Sequence, residues 1–399
     1  MKIAFLTSCL EPGKDGVGDY TRALAGETSR NGHEVCLLAL NDRHAGGEWR
    51  SPAPPTLRLG PALGWPERIA RAGEFLLDCD PDWVSVQFVC YGFHPKGFPL
   101  RLGQWLESLT QERQVHVMMH ELWIGSEVGA RVKDRWVGQL QKYCIRNLLR
   151  RLRPRVVHSS NPAYVGLLRQ HGWPAAPLAL FGAIPVGRKA GASWLFERLK
   201  SAGIPCSPET RRDFWIFGLF GTFHPVWPPE PLLSHLQEAG RRHGRRITLA
   251  SIGRLGPGQE LWQSLARRYA GQVDFLQLGE QTPETISQFF HEIDFGIATT
   301  PRALIGKSAT ATAMLEHGLP VIVNREEVQF QAATGSEEMD GSLLLRADDA
   351  LPARLARSSR RPGRSRLPEV TRQFLAELER QASPQRGIAW PSPQMAVNE

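Results

Sequence analysis

The residues with the clearest chemistry lie late in the chain, in "LIGKSATATAMLEHGLPVIV" at 304–323. Gly306, Lys307 and Ser308 run straight into a helical pattern, an order in which backbone amides and an ammonium group can hold phosphate. An NTPase P-loop needs a glycine five residues before Gly306, and that position is Pro301. The stretch is therefore not a P-loop. What remains is a strand at 294–300, a loop with Gly306 and Lys307, and a helix opening at Ser308. Ser308 suits an N-cap, which leaves the amides of Ala309 and Thr310 for an anion. A diphosphate placed there would gain the helix dipole and the Lys307 charge.

Two further clusters stand earlier. In "HVMMHELWIG" (116–125), His120 ends a buried strand, where an imidazole can hydrogen-bond a hydroxyl or share charge with a diphosphate. Glu121 would orient His120 or act as a base, and His116 reads as structural, buried or facing the other way. In "EPGKDGVGDYTRALAGETSRNGHEV" (11–35), strand, glycine loop and helix follow one another, so Gly16 and Gly18 sit where amides could face an anion. Thr21 occupies the third glycine position of a dinucleotide fingerprint, so that reading is weak.

These residues need elements to position them. Strand patterns fall at 2–8, 34–40, 83–89, 115–120, 155–160 and 177–182, with helices at 18–31, 98–112, 130–150 and 162–171. The pattern loosens over 183–213, where one helix is expected at 192–202. It restarts with strands 214–221, 246–253, 273–279, 294–300 and 320–324, separated by helices at 229–243, 258–269, 282–291 and 308–317. Buried strands alternating with helices imply doubly wound parallel sheets. The expected organisation is an N-terminal Rossmann-like domain (1–187), a connection (188–213), a second Rossmann-like domain (214–350) and an Arg/Pro-rich tail with one helix (351–399).

Bulk properties narrow the class. The chain has 399 residues, 42% hydrophobic and 22% charged, as in ordinary globular proteins. No apolar run is long enough to span a membrane. Six scattered cysteines without a CxxC pair read as reduced thiols and fit a cytoplasmic location. The net charge of +8 is concentrated in "RNLLRRLRPR" (146–155) and "RLARSSRRPGRSRLP" (354–368). Without a nucleic-acid module signature it argues against nucleic acid and leaves peripheral contact with the inner membrane face open. The sequence shows no clear basic amphipathic helix with an exposed aromatic face.

In order and spacing, "GVGDYTRALA…GHEV", "FGLFGTFHP" and "DFGIATTP…GKSATATAMLEHGLPVIV" resemble the motifs of family 4 (group 1) glycosyltransferases over residues 1–325. The resemblance implies a GT-B fold: two facing Rossmann-like domains with an interdomain cleft. It implies a nucleotide-sugar donor, a sugar or lipid-linked acceptor, and no cofactor. The site it implies comprises His120 against the donor sugar, Gly16 and Gly18 near acceptor and donor, Gly221 and Thr222 after the first strand of the second domain, and Leu278 and Gly279 at the base. Lys307, Ser308, Ala309 and Thr310 would take the diphosphate, and Trp123 would either pack or stack a sugar ring.

The sequence departs from the family at its paired glutamates, whose positions hold Ile305 and Ala313. Glu316, one turn later, is a candidate for the ribose contact, and Arg254 for the missing cation. No DxD-type pair stands at a strand end, so no metal site is expected. The expected activity is sugar transfer to a hydroxyl with retention and without metal. The alternatives are a non-catalytic partner subunit of the same fold or a nucleotide-sugar epimerase.

Overall fold

A computed structural model describes residues 1–191, 193–330 and 342–382. Sequence readings that fall on 192, 331–341 and 383–399 (the first residue of the 192–202 helix, part of the second domain, the end of the tail) lie outside them. The described residues form two compact units. One holds 1–179, 329–330 and 367–382; the other holds 180–328 and 342–366.

The first unit is built on an eight-stranded sheet. Its elements are β1 (Lys2–Thr7), α1 (Gly16–Arg30), β2 (Glu34–Ala39), β3 (Glu48–Pro52), β4 (Pro55–Leu59), α2 (Trp65–Cys79), β5 (Trp83–Phe88) and α3 (Cys90–Phe93). There follow α4 (Leu102–Thr110), β6 (Gln114–Met119), α5 (Val132–Leu152), β7 (Val156–Ser159), α6 (Pro162–Gln170) and β8 (Ala175–Pro177). The strand order is β3-β4-β2-β1-β5-β6-β7-β8, parallel except for the β3–β4 hairpin. The hairpin, α2 and the short α3 are additions to the sequence reading. The hairpin lies at the sheet edge, where β3 is largely exposed and lacks the apolar run that marks a buried strand. The strand expected at 177–182 is only the short β8.

The second unit contains α7 (Ser193–Ser201), β9 (Phe214–Phe220), α8 (Leu232–His243), β10 (Arg246–Ile252), α9 (Gln259–Arg268), β11 (Asp274–Gln277) and α10 (Pro283–Glu292). It continues with β12 (Phe295–Ala298), α11 (Ala309–Glu316), β13 (Val321–Val323), β14 (Leu344–Arg346) and α12 (Leu351–Arg357). Its six strands are all parallel, in the order β11-β10-β9-β12-β13-β14. Both faces are covered, as a parallel sheet requires. Phe217, Leu219 and Ile297 pack with α8 on one face, and Ile216 packs with Phe289 and Phe290 of α10 on the other. Leu195 and Leu199 of α7 are buried in that second cluster, so the segment read as a connection is part of this unit's core.

Among the described residues, those after 350 hold two helices rather than one. Besides α12 there is α13 (Leu367–Ala382), which belongs to the first unit. Val370, Phe374 and Leu378 recur at helical spacing and are buried, with the Phe374 ring 5.9 Å from Phe5 and 5.1 Å from His116. Its apolar stripe was visible in the sequence, but not the sheet that receives it.

In each sheet one central strand has neighbours on both sides to which the chain runs in opposite directions. They are β1, between β2 and β5, and β9, between β10 and β12. At such a switch point the loops leave the carboxyl ends in opposite directions and open a crevice. The fold thus directs attention to the residues following β1, β5 and β6 in the first unit, and β9 and β12 in the second.

Phe374→Ala is expected to cost about 3–5 kcal/mol, as for large core truncations. Urea unfolding of the full chain checks this; an unchanged midpoint would mean that α13 is not docked.

Candidate functional site

In the second unit, the carboxyl ends of β9, β10 and β11 turn through Gly221, Gly253 and Gly279, whose φ values are 76°, 90° and 66°. At Gly221 a side chain is unwelcome on a second count, because a Cβ would lie 3.1 Å from the Thr310 methyl at the start of α11. The β9 turn and the α11 N-terminus are therefore adjacent, as the late Gly-Lys-Ser requires.

Ser308 caps α11. Its Oγ accepts from the Ala311 amide at 3.3 Å and lies 3.1 Å from Thr310 Oγ1 and 3.2 Å from Thr300 Oγ1. Thr312 N–H donates to Ser308 C=O at 2.9 Å. Among the described residues the amides of Ala309 and Thr310 have no acceptor, the state of a helix start facing outward. Lys307 ends the 3₁₀ turn Arg302–Lys307 that leads into it.

The other expected donor residues fare differently. Both backbone groups of Leu278 are taken, its N–H by Ser251 C=O (2.8 Å) and its C=O by the Gln281 amide (2.8 Å). The Gly279 carbonyl accepts from Gly253 N–H at 2.7 Å. Thr222 is exposed beside the β9 turn. Arg254 pairs with Glu280 at 2.6 Å on the surface. Glu316 is buried at the far end of α11, where its carboxylate accepts the backbone N–H groups of Arg366 (2.9 Å) and Gly182. Burial raises its pKa to about 7 despite those donors. Its partners are the chain segments beside α11, a tying role and not the ribose contact read from the sequence.

Sequence reading missed Arg325, which follows β13 and is buried. Its Nη1 donates to Thr299 C=O at 3.1 Å and its Nε to Glu327 at 2.7 Å. His224 stands nearby, its pKa held down by partial burial and by the Arg325 charge, so beside the Arg325–Glu327 pair it is a neutral group. An arginine directly after the apolar "PVIVN" was the available signal.

In the first unit, Gly18 is explained by packing. A Cβ there would lie 2.3 Å from the Cys9 carbonyl oxygen, so α1 can approach β1 only with glycine. Its amide is already spent on the Asp15 side chain at 2.7 Å, the N-cap of α1, while Gly16 has open space around it. Asp19 accepts from Gly13 N–H at 3.0 Å, and Asp42 stands behind, buried against Arg58 at 2.7 Å. Arg58 also pairs with Glu11. This helix start faces carboxylates of its own, and Gly18, with its amide taken and no room for a side chain, serves the turn and the packing of α1 on β1.

His120 follows β6 and is buried. Its Nε2 lies 2.9 Å from Gln87 Oε1, and Tyr20 meets its ring edge-on at 4.9 Å. Gln87 Nε2 donates to Ser85 Oγ (2.8 Å), which meets His116 Nδ1 (2.8 Å), and His116 Nε2 meets His158 Nδ1 (3.1 Å). A hydrogen-bonded line thus crosses β5, β6 and β7 and ends at His158 Nε2, buried without a partner among the described residues. His116 shares the face of His120, since residues four apart on a strand point the same way. With Gln87 as acceptor, His120 carries its proton on Nε2 and leaves Nδ1 as an acceptor. Gln87, not Glu121, orients this nitrogen. Burial lowers the pKa of His120 to about 3 and of His158 to about 4, and takes His116 well below its ordinary value. His120 is therefore a neutral hydrogen-bonding group at neutral pH and shares no charge with a diphosphate. Trp123 is buried, with Lys142 over its ring at 5.6 Å, so it packs. Among the described residues no three His, Cys, Asp or Glu side chains form a metal-holding group.

Residues 15–183 match the family model described as the glycosyl transferase 4-like domain. No curated protein matches the sequence. Among solved structures, Anabaena HepE in complex with UDP-glucose is similar at 14% identity, covering 95% of this chain and 100% of that one, with a TM-score of 0.53. The α,α-trehalose 6-phosphate synthase of Burkholderia multivorans is similar at 12% identity, 95% and 93% coverage, and a TM-score of 0.55. A structure described as a putative UDP-N-acetylglucosamine 2-epimerase from Listeria monocytogenes is similar at 12% identity, 97% and 99% coverage, and a TM-score of 0.51. The fold these likenesses and the two parallel sheets define is GT-B.

The neutral histidines carry a pH signature. The unfolded chain takes up their protons near pH 6.5, while the folded chain resists until about pH 4 or below. Their contribution to stability is therefore complete above about pH 7 and is lost as pH falls below 6.5. Urea midpoints measured from pH 8 to 5 should decrease accordingly. Long-range ¹H–¹⁵N spectra at pH 5.5 should show His120 neutral and protonated on Nε2; a charged ring would refute the assignment.

Proposed function

We propose that the chain is a family 4 (group 1) glycosyltransferase that moves a sugar from a nucleotide diphosphate to a hydroxyl acceptor. The observation that most supports this reading is the start of α11, where the Ala309 and Thr310 amides follow Lys307 and Thr310 lies against the Gly221 turn at the switch point. Backbone amides at a helix start with a preceding lysine have the chemistry that suits a diphosphate, which supports the reading. The glycosyl transferase 4-like match over 15–183 supplies the reaction class.

Under this reading the acceptor oxygen bonds to the anomeric carbon as the bond to the diphosphate oxygen breaks. The acceptor proton passes to the leaving diphosphate on the same face, so the configuration is retained without an enzyme nucleophile, metal or cofactor. The protein's task is to stabilise charge growing on the diphosphate, which falls to Lys307 and the α11 amides. His120 offers Nδ1 to a sugar hydroxyl. Neither Ile305 nor Ala313 can hold a ribose as a carboxylate would, so ribose recognition differs from the family pattern. The six cysteines are free thiols, in keeping with a reducing compartment.

The Listeria likeness favours one second reading, an epimerase on the same fold. An NMR time course with UDP-N-acetylglucosamine and no acceptor separates the two, since only an epimerase changes the sugar.

A thermal-shift screen with UDP-, GDP-, ADP- and TDP-sugars identifies the base, because a bound nucleotide stabilises by mass action. With the diphosphate so identified, Lys307→Ala should weaken calorimetric binding roughly 10- to 100-fold, the worth of a charged hydrogen bond. Transfer should fall at least as far. Unchanged affinity in a folded variant would remove the diphosphate from this site.

A further inference from the structure

Helix α5 turns large apolar side chains outward as well as inward. Its core face is made by Cys144, Ile145, Leu148 and Leu149, all buried. On the opposite side Val132, Trp136, Leu140 and Tyr143 recur at i, i+4, i+8 and i+11 and are 64%, 72%, 53% and 60% exposed. Helical geometry places these four in one stripe about 17 Å long. They contribute nothing to the core, so packing does not account for them.

Charge flanks the stripe on both sides. Lys133 and Arg151 lie along one edge and Arg135 and Arg146 along the other, all exposed. Arg151 is paired with Glu107 at 2.5 Å. The one acid within α5, Asp134, is half-buried and lies away from the stripe. An aromatic and aliphatic stripe with basic borders is the composition of a helix lying in a membrane interface.

We propose that α5 docks this chain on an anionic lipid bilayer, with Trp136 and Tyr143 at the headgroup level and the arginines on lipid phosphates. A second copy of the chain fits less well. Isologous pairing through this stripe would set the basic edges against one another with little acid to offset them. The sequence did not expose this helix because apolar residues occur on both of its faces, which obscures the single stripe that marks an amphipathic segment. The inference goes beyond the proposed reaction and does not depend on it.

The test is flotation of the full chain with vesicles of equal parts phosphatidylglycerol and phosphatidylcholine, against phosphatidylcholine alone. The chain should float with the mixed vesicles at low salt, remain at the bottom with phosphatidylcholine, and be released at ~1 M salt, where screening is strong. Trp136→Ser with Tyr143→Ser should lower partitioning roughly tenfold or more. Arg135→Gln with Arg146→Gln should lower it on the order of fivefold per charge. All four positions are exposed, so urea midpoints of the variants should match wild type and show that binding, not folding, was lost. Absence of flotation by the wild-type chain overturns the proposal, as does equal binding to both vesicles or undiminished binding by folded variants. A dimer in sedimentation that Trp136→Ser dissolves would assign the stripe to a second copy instead.

Discussion

A parallel sheet cannot reverse direction by hairpins, so every strand is followed by a return crossing over one face. That constraint buries both faces, collects the loops after the strands at one end, and opens a crevice where the strand order reverses. The chain meets it in two separate units, around β1 and around β9. Most of the residues with chemical interest stand just beyond those carboxyl ends, on loops held by rigid strands.

The two regions are electrostatically unlike. The start of α11 presents the amides of Ala309 and Thr310 after Lys307, whereas the start of α1 is occupied by Asp15 and backed by Asp19 and the Asp42–Arg58–Glu11 cluster. Two helix starts that look equally suited to anions in the sequence are therefore opposite in character. His120 adds a third kind of group, an imidazole kept neutral by burial and held by Gln87. Cationic and neutral hydrogen-bonding groups thus stand in different units.

Much of this was legible in the residues. The parallel strands of both sheets, apart from β4, the short β8 and the edge strand β14, follow from apolar runs separated by helical periods. The Ser308 cap follows from local chemistry that acts within one turn. The β3–β4 hairpin was not legible, because an exposed edge strand leaves no apolar run to read. Arg325 lay one residue beyond the last strand read, and its meaning depends on Thr299, far away in sequence.

The sequence by itself determined the class of architecture, the order of its elements and the helix start at Ser308, because periodicity and capping depend on neighbours a few residues apart. Tertiary structure alone decided which charges meet. It gave Gly18 a packing role against Cys9, took Glu316 to the backbone of Arg366 and Gly182, linked His120 to His158 across three strands, and left Trp136 and Tyr143 facing outward. Those outcomes depend on residues brought together across tens to hundreds of positions, where burial and long-range partners, not local pattern, set the energy of each side chain.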